Sequence, residues 1–117
     1  MGLDQYAYIS DHAENPDFVW RKHSKLQEFM ENLFVQKTGQ CDTELNCGEL
    51  HLDADDIAAL EALVESGELP ESPGGFFYGH QFQDESAAEY REQDLAFCKW
   101  ARAILETREK VIYSCWW

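Results

Sequence analysis

An α+β domain is predicted, with about three helices packed on a small, mainly antiparallel sheet of four or five short strands. Two patterns in the sequence carry that prediction. Three long segments repeat apolar residues at helical spacing, and several short ones alternate or cluster strand-forming side chains. Turn-rich connectors separate them, and mixed helices and strands of this kind define the α+β class. A chain of 117 residues that is 44% hydrophobic and 14% aromatic can bury one core, so a single domain over 1–117 is expected.

The elements follow in order. Leu3 to Ile9 is rich in strand formers, with Tyr6 and Tyr8 on one face of a period-two pattern. Asn15-Pro16 marks a turn, and Phe18 to Lys22 returns as a second strand, with a helix starting at Asp17 as the alternative. Ser24-Lys25-Leu26-Gln27 has capping-box spacing, which places the Ser24 oxygen for the Gln27 amide. Leu26, Phe29, Met30, Leu33 and Phe34 then recur helically and Gly39 supplies a stop, predicting a helix near 24–37.

Residues 40–48 read as a loop and Glu49 to Leu52 as a short strand. Asp53 is a good N-cap, and Asp55 and Asp56 fall in the first turn, where the helix dipole favours negative charge. Leu52 and Ile57 have the spacing of a hydrophobic staple. Ile57, Leu60, Leu63 and Val64 form the buried stripe of this helix, which Ser66-Gly67 ends. A connector over 69–75 leads to an aromatic strand at Phe76, Phe77 and Tyr78. A third helix is predicted over roughly 86–107 with Leu95, Cys98, Ala101 and Leu105 along one side, then a closing strand over 110–117.

Charge is distributed very unevenly. Thirteen carboxylates and no lysine or arginine lie between Thr38 and Tyr90, and this stretch supplies nearly all of the net charge of −14. Such a field steers basic partners and repels phosphates, so direct nucleic-acid binding and anionic membranes are disfavoured. The absence of a signal-peptide pattern, of any bilayer-length apolar run and of a myristoylation motif (Tyr6 where Ser or Thr is needed) predicts a soluble, cytoplasmic protein. Cys41, Cys47, Cys98 and Cys115 fit that compartment as reduced thiols.

No phosphate-binding loop, nucleophile elbow, zinc-protease helix or dinucleotide fingerprint is present, so no catalytic residue is assigned and an enzyme is disfavoured. Cys41, Cys47 and His51, joined by His23 or His80, lack the paired spacing of a zinc site, so no metal or other cofactor is expected. Adjacent acids such as Asp55-Asp56 or Asp84-Glu85 do not face each other on a helix, which weakens a catalytic pair. The most distinctive local cluster is Trp20-Arg21-Lys22-His23. One reading makes it an anion or ligand pocket in which Arg21 forks onto a carboxylate or phosphate. The other buries Trp20 and places Arg21 and Lys22 in salt bridges to the acidic region.

Several of these segments resemble a family of small, uncharacterised bacteriophage and prophage proteins. The shared features are Gly2-Leu3-Asp4 with Tyr6, Trp20 to His23 with Leu26, Asn46-Cys47, Leu69-Pro70 with Gly75 to Gly79, and a final strand with Val111, Tyr113, Trp116 and Trp117. The resemblance covers nearly the whole chain and departs at Ser114-Cys115, which stand in a changed order. It implies a phage-like origin, hence a host-cell location, and carries over no activity.

The function expected is therefore that of a small acidic, phage-like interaction protein. Its partner is a basic surface of a host protein, in the concrete case an inhibited nucleic-acid-binding or defence protein. The partner-binding face is assigned to Asp55, Asp56, Glu61, Glu65, Glu68 and Glu71. The alternative is a small ligand-binding module or enzyme, with a pocket around Trp20, Arg21, His23 and His80 beside the Phe76–His80 strand.

Overall fold

Side-chain alternation near the two ends of the chain is realised as the central pair of strands in a sheet. The computed structural model describes residues 3–12, 14–71 and 83–117. β1 (Asp4–Ile9) passes through a 3-10 turn (Ser10–His12) to β2 (Phe18–Arg21) and α1 (Ser24–Thr38). A second 3-10 turn (Asp42–Leu45) leads to β3 (Glu49–Leu52) and α2 (Ala54–Ser66), followed by α3 (Gln83–Glu106) and β4 (Val111–Trp116). The strands form one antiparallel sheet in the order β2-β1-β4-β3. The α+β class holds, with three helices on a four-stranded sheet. The expected strand at 76–78 lies outside the described residues.

Register explains the core. Ala7 pairs with Tyr113 and Phe18, and Gln5 with Cys115 and Trp20, so one face of the period-two pattern is continuous across strands. That face buries Ala7, Trp20, Leu50, Leu52, Val111 and Tyr113. Leu26, Met30 and Phe34 of α1, Ile57, Leu60 and Val64 of α2, and Phe97, Cys98 and Ala101 of α3 complete the cluster. Tyr6 and Tyr8 share the opposite face, as their spacing predicts.

Side chains occupy main-chain groups on both sheet edges. On β2, the Val19 carbonyl accepts from Gln93 Nε2 at 2.7 Å and the Arg21 amide donates to the Tyr90 hydroxyl at 3.1 Å. On β3, the His51 carbonyl accepts from Lys37 Nζ at 2.8 Å. Each occupied group is one fewer free partner for strand addition by another chain.

The caps separate what is local from what is not. α2 has the predicted N-cap: Asp53 Oδ1 accepts from the Asp56 amide at 2.9 Å, and Asp56 Oδ2 accepts from the Asp53 amide at 2.9 Å. Leu52 and Ile57 are buried as the staple requires. Gly67 ends the helix at φ 73°, a left-handed conformation that glycine adopts without a Cβ clash.

α1 corrects the expectation at its start. His23, not Ser24, is the N-cap, and Ser24 is the first helical residue; no side chain caps this end. The Gln27 amide donates to the His23 carbonyl at 3.1 Å, which is a first helical turn and not a serine cap. The reason is tertiary, because the His23 amide is held at 2.8 Å by Gln5 Oε1 of β1. α3 begins earlier than expected, with Asp84 and Glu85 in its first turn. Its buried stripe is Asp94, Phe97, Cys98 and Ala101, while Leu95 and Leu105 are only partly covered.

Candidate functional site

The six carboxylates assigned to a binding face divide into two groups. Asp56 and Glu61 are committed internally. Asp56 contacts Lys37 of α1 and caps its own helix, and Glu61 contacts Arg102 of α3. Asp84 and Glu49 have partners too: Lys25 at 2.7 Å and the Tyr8 hydroxyl at 3.2 Å. Asp55, Glu65, Glu68 and Glu71 are exposed and form no ion pair among the described residues.

Two of these four lie on one ridge. Asp55, Ala58, Ala62 and Glu65 follow helical i, i+3, i+7, i+10 spacing along the solvent side of α2, and all are exposed. At 1.5 Å per residue the ridge is about 15 Å long. A carboxylate stands at each end with alanines between, and Glu68 and Glu71 continue the charge beyond Gly67. Alanine keeps the helix surface low, so a long basic side chain can reach the terminal carboxylates while its stem lies on methyl groups.

The Trp20 cluster resolves differently. Trp20 is 1% exposed, and its Nε1 donates to Asp94 Oδ1 at 2.8 Å. His23 is fully buried, with Nε2 2.7 Å from Asp94 Oδ2 and its ring stacked on Tyr90 at 5.3 Å between centroids. His23 Nδ1 has no hydrogen-bond partner among the described residues. Arg21 points the other way: its side chain is 68% exposed, 3.9 Å from Asp4. His80 lies outside the described residues. The structure thus brings Trp20 and His23 together on a carboxylate and sets Arg21 apart. Trp20 is buried as one reading supposes, but Arg21 approaches Asp4 and not the acidic stretch, and Lys22 forms no ion pair among the described residues. Period-two alternation explains the separation, since consecutive strand residues face opposite sides.

This interior cluster is joined by hydrogen bonds to a second group. Gln5 Nε2 donates to the His23 carbonyl at 3.1 Å and to the Tyr113 hydroxyl at 2.9 Å. Tyr113 donates to Gln27 Oε1 at 2.5 Å, and Gln27 Nε2 reaches Cys115 Sγ at 3.4 Å. β1, β2, α1, α3 and β4 are therefore tied together by buried polar side chains. Asp94, Gln5 and Gln27 escaped the sequence reading. Asp94 left one signal, a carboxylate on the apolar stripe three and four residues before Phe97 and Cys98.

The two buried thiols are shifted away from the thiolate form. Burial, then Glu61 and Asp94, pushes Cys98 up to about 12. Burial likewise pushes Cys115 up to about 12, against the lowering bond from Gln27. A raised value disfavours the thiolate, the nucleophilic form, near neutral pH. Cys41 and Cys47 are exposed, and no group of three or more His, Cys, Asp or Glu suited to a metal occurs among the described residues. Among those residues, too, no helix is long and apolar enough to cross a membrane.

Comparison of the chain with protein-family models, curated proteins and solved structures finds no match to any of them.

Proposed function

We propose that this chain works by protein contact, through the acidic ridge of α2 and its continuation, and performs no chemistry. The observation supporting this reading is the unequal treatment of its carboxylates. Lys25, Lys37 and Arg102 are spent on Asp84, Asp56 and Glu61, while Asp55, Glu65, Glu68 and Glu71 face solvent with no counter-charge among the described residues. Uncompensated like charges destabilise the fold by self-repulsion, and a basic partner relieves exactly that cost. The partner surface is rich in lysine and arginine. Surfaces of that kind are found where proteins hold nucleic acid, and the phage-like resemblance makes a host nucleic-acid-binding or defence protein the concrete case. Occupying its groove with carboxylates would inhibit it.

The test is affinity capture from host lysate at low and high salt, with the wild type and with a variant carrying Asp55→Lys, Glu65→Lys, Glu68→Lys and Glu71→Lys. A basic partner retained at low salt, released at high salt and lost in the variant is expected. Retention by the variant at low salt as strong as by the wild type would overturn the reading.

A further inference from the structure

A cleft of about 280 Å³ opens between the end of α2, the first half of α3 and the start of α1. Leu63, Val64 and Leu69 form an apolar wall, faced by Ala87 and Ala88. Lys25 and Arg91 also line it. In a chain with nine lysines and arginines against 23 acids, two of the cations line one apolar-walled cleft, where they balance Asp84 and Asp94.

Their present partners are informative. The Lys25 side chain is only 12% exposed and holds Asp84 Oδ1 at 2.7 Å, whereas the Asp84 side chain is 85% exposed. The lysine is built into the wall, and the carboxylate reaches it from solvent. Arg91 uses one nitrogen on the Glu65 carbonyl at 3.3 Å and has no carboxylate partner among the described residues. A guanidinium has five N–H donors in a planar fork, so most of its capacity is unspent.

The geometry points to a binding site for a small organic acid: one carboxylate on a short apolar body. Its carboxylate replaces Asp84 on Lys25 and is gripped by Arg91, and its body lies against Leu63, Val64 and Leu69. Asp84 is the built-in stand-in for that ligand, and because its carboxylate stands largely in solvent it can leave Lys25 without itself being uncovered. Asp94 lines the cleft as well, but each of its oxygens already accepts a bond, from Trp20 and from His23. Small-molecule pockets run from roughly 300 to 1,000 Å³, so this volume selects a ligand at the small end.

Hexanoate titrated into the intact ¹⁵N-labelled chain tests the proposal, with hexanamide as its uncharged match and the amide signals of Ala87, Ala88 and Arg91 as the readout. Hexanoate is expected to give saturable shifts and to bind at least about tenfold more tightly than hexanamide. Arg91→Gln should weaken hexanoate by about tenfold and leave hexanamide unchanged. Asp84→Asn removes the internal competitor and should tighten hexanoate by up to about fivefold. A merely structural role for Asp84 predicts weaker binding instead. No saturable shift, equal binding of the two compounds, or weaker hexanoate binding to Asp84→Asn overturns the proposal. Arg91 touches the ridge only through the Glu65 main chain, and the titration leaves every ridge carboxylate in place, so its failure is distinguishable from failure of the capture experiment.

Discussion

The polar cluster under β2 and the ridge of α2 are built from the same kinds of groups under opposite rules. In the interior, both Asp94 oxygens, the Trp20 indole nitrogen, and the Gln5 and Gln27 amides are matched within 3.4 Å. On the ridge, the Asp55 and Glu65 carboxylates are exposed and form no ion pair among the described residues. A buried polar group without a partner loses its hydration and gains nothing, whereas an exposed carboxylate keeps its water. The interior cluster therefore reports on how the fold is held together. The ridge owes the fold little, which leaves its composition open to what it meets outside.

The comparison breaks hardest at Asp94. Asp94→Ala leaves the Trp20 Nε1–H and the His23 imidazole buried without their acceptor, and each buried group left unsatisfied costs about 1–3 kcal/mol. Urea unfolding should show a loss of this size, with Asp94→Asn recovering part because it keeps an acceptor oxygen. A loss below about 1 kcal/mol would reduce the cluster to ordinary hydrogen bonding.

Tyr113→Phe probes the same interior one step away. It removes the hydroxyl that links Gln5 to Gln27 and should cost about 1–3 kcal/mol, read from the same unfolding curves.

Asp53 stands between the two regions, exposed yet structurally engaged. Asp53→Ala should cost about 1 kcal/mol through loss of the α2 cap. The Asp56 amide, and secondarily Lys37, holds the Asp53 carboxyl below its ordinary value of 3.8. A depressed folded value means that the contribution is complete above 3.8 and is lost as pH falls through the lower folded value. The gap in stability between wild type and Asp53→Ala should therefore narrow below that pH and stay constant above it.

The smallest effect belongs to the ridge. Glu65→Lys, Glu68→Lys and Glu71→Lys should each change stability by no more than about 0.5 kcal/mol. Asp55→Lys adds a dipole cost of about 0.3–1 kcal/mol, because it reverses charge in the first turn of α2. Large losses at these positions would show that the ridge serves the fold, and the contrast with the interior would disappear.

Where a feature depended on neighbours in the chain, it was legible beforehand. Asp53 and Asp56 are three residues apart, Leu52 and Ile57 flank one cap, and Gly39 and Gly67 follow two apolar stripes. Such signals act through backbone geometry, which is the same in any context. Ser24 shows the limit. Its spacing satisfies a capping box, yet Gln5, 18 residues away from His23, fixes where the helix begins.

The amino-acid sequence by itself determined the α+β class, the caps and stripe of α2, the period-two strands and the concentration of charge between 38 and 90. Only the tertiary structure decided which carboxylates are free. Trp20 meets Asp94 across 74 residues, and Glu61 meets Arg102 across 41. Neither pairing leaves a periodic trace, because it depends on which helix faces lie against each other. A carboxylate on a helix reads the same in sequence whether it will face a guanidinium, an indole N–H or water.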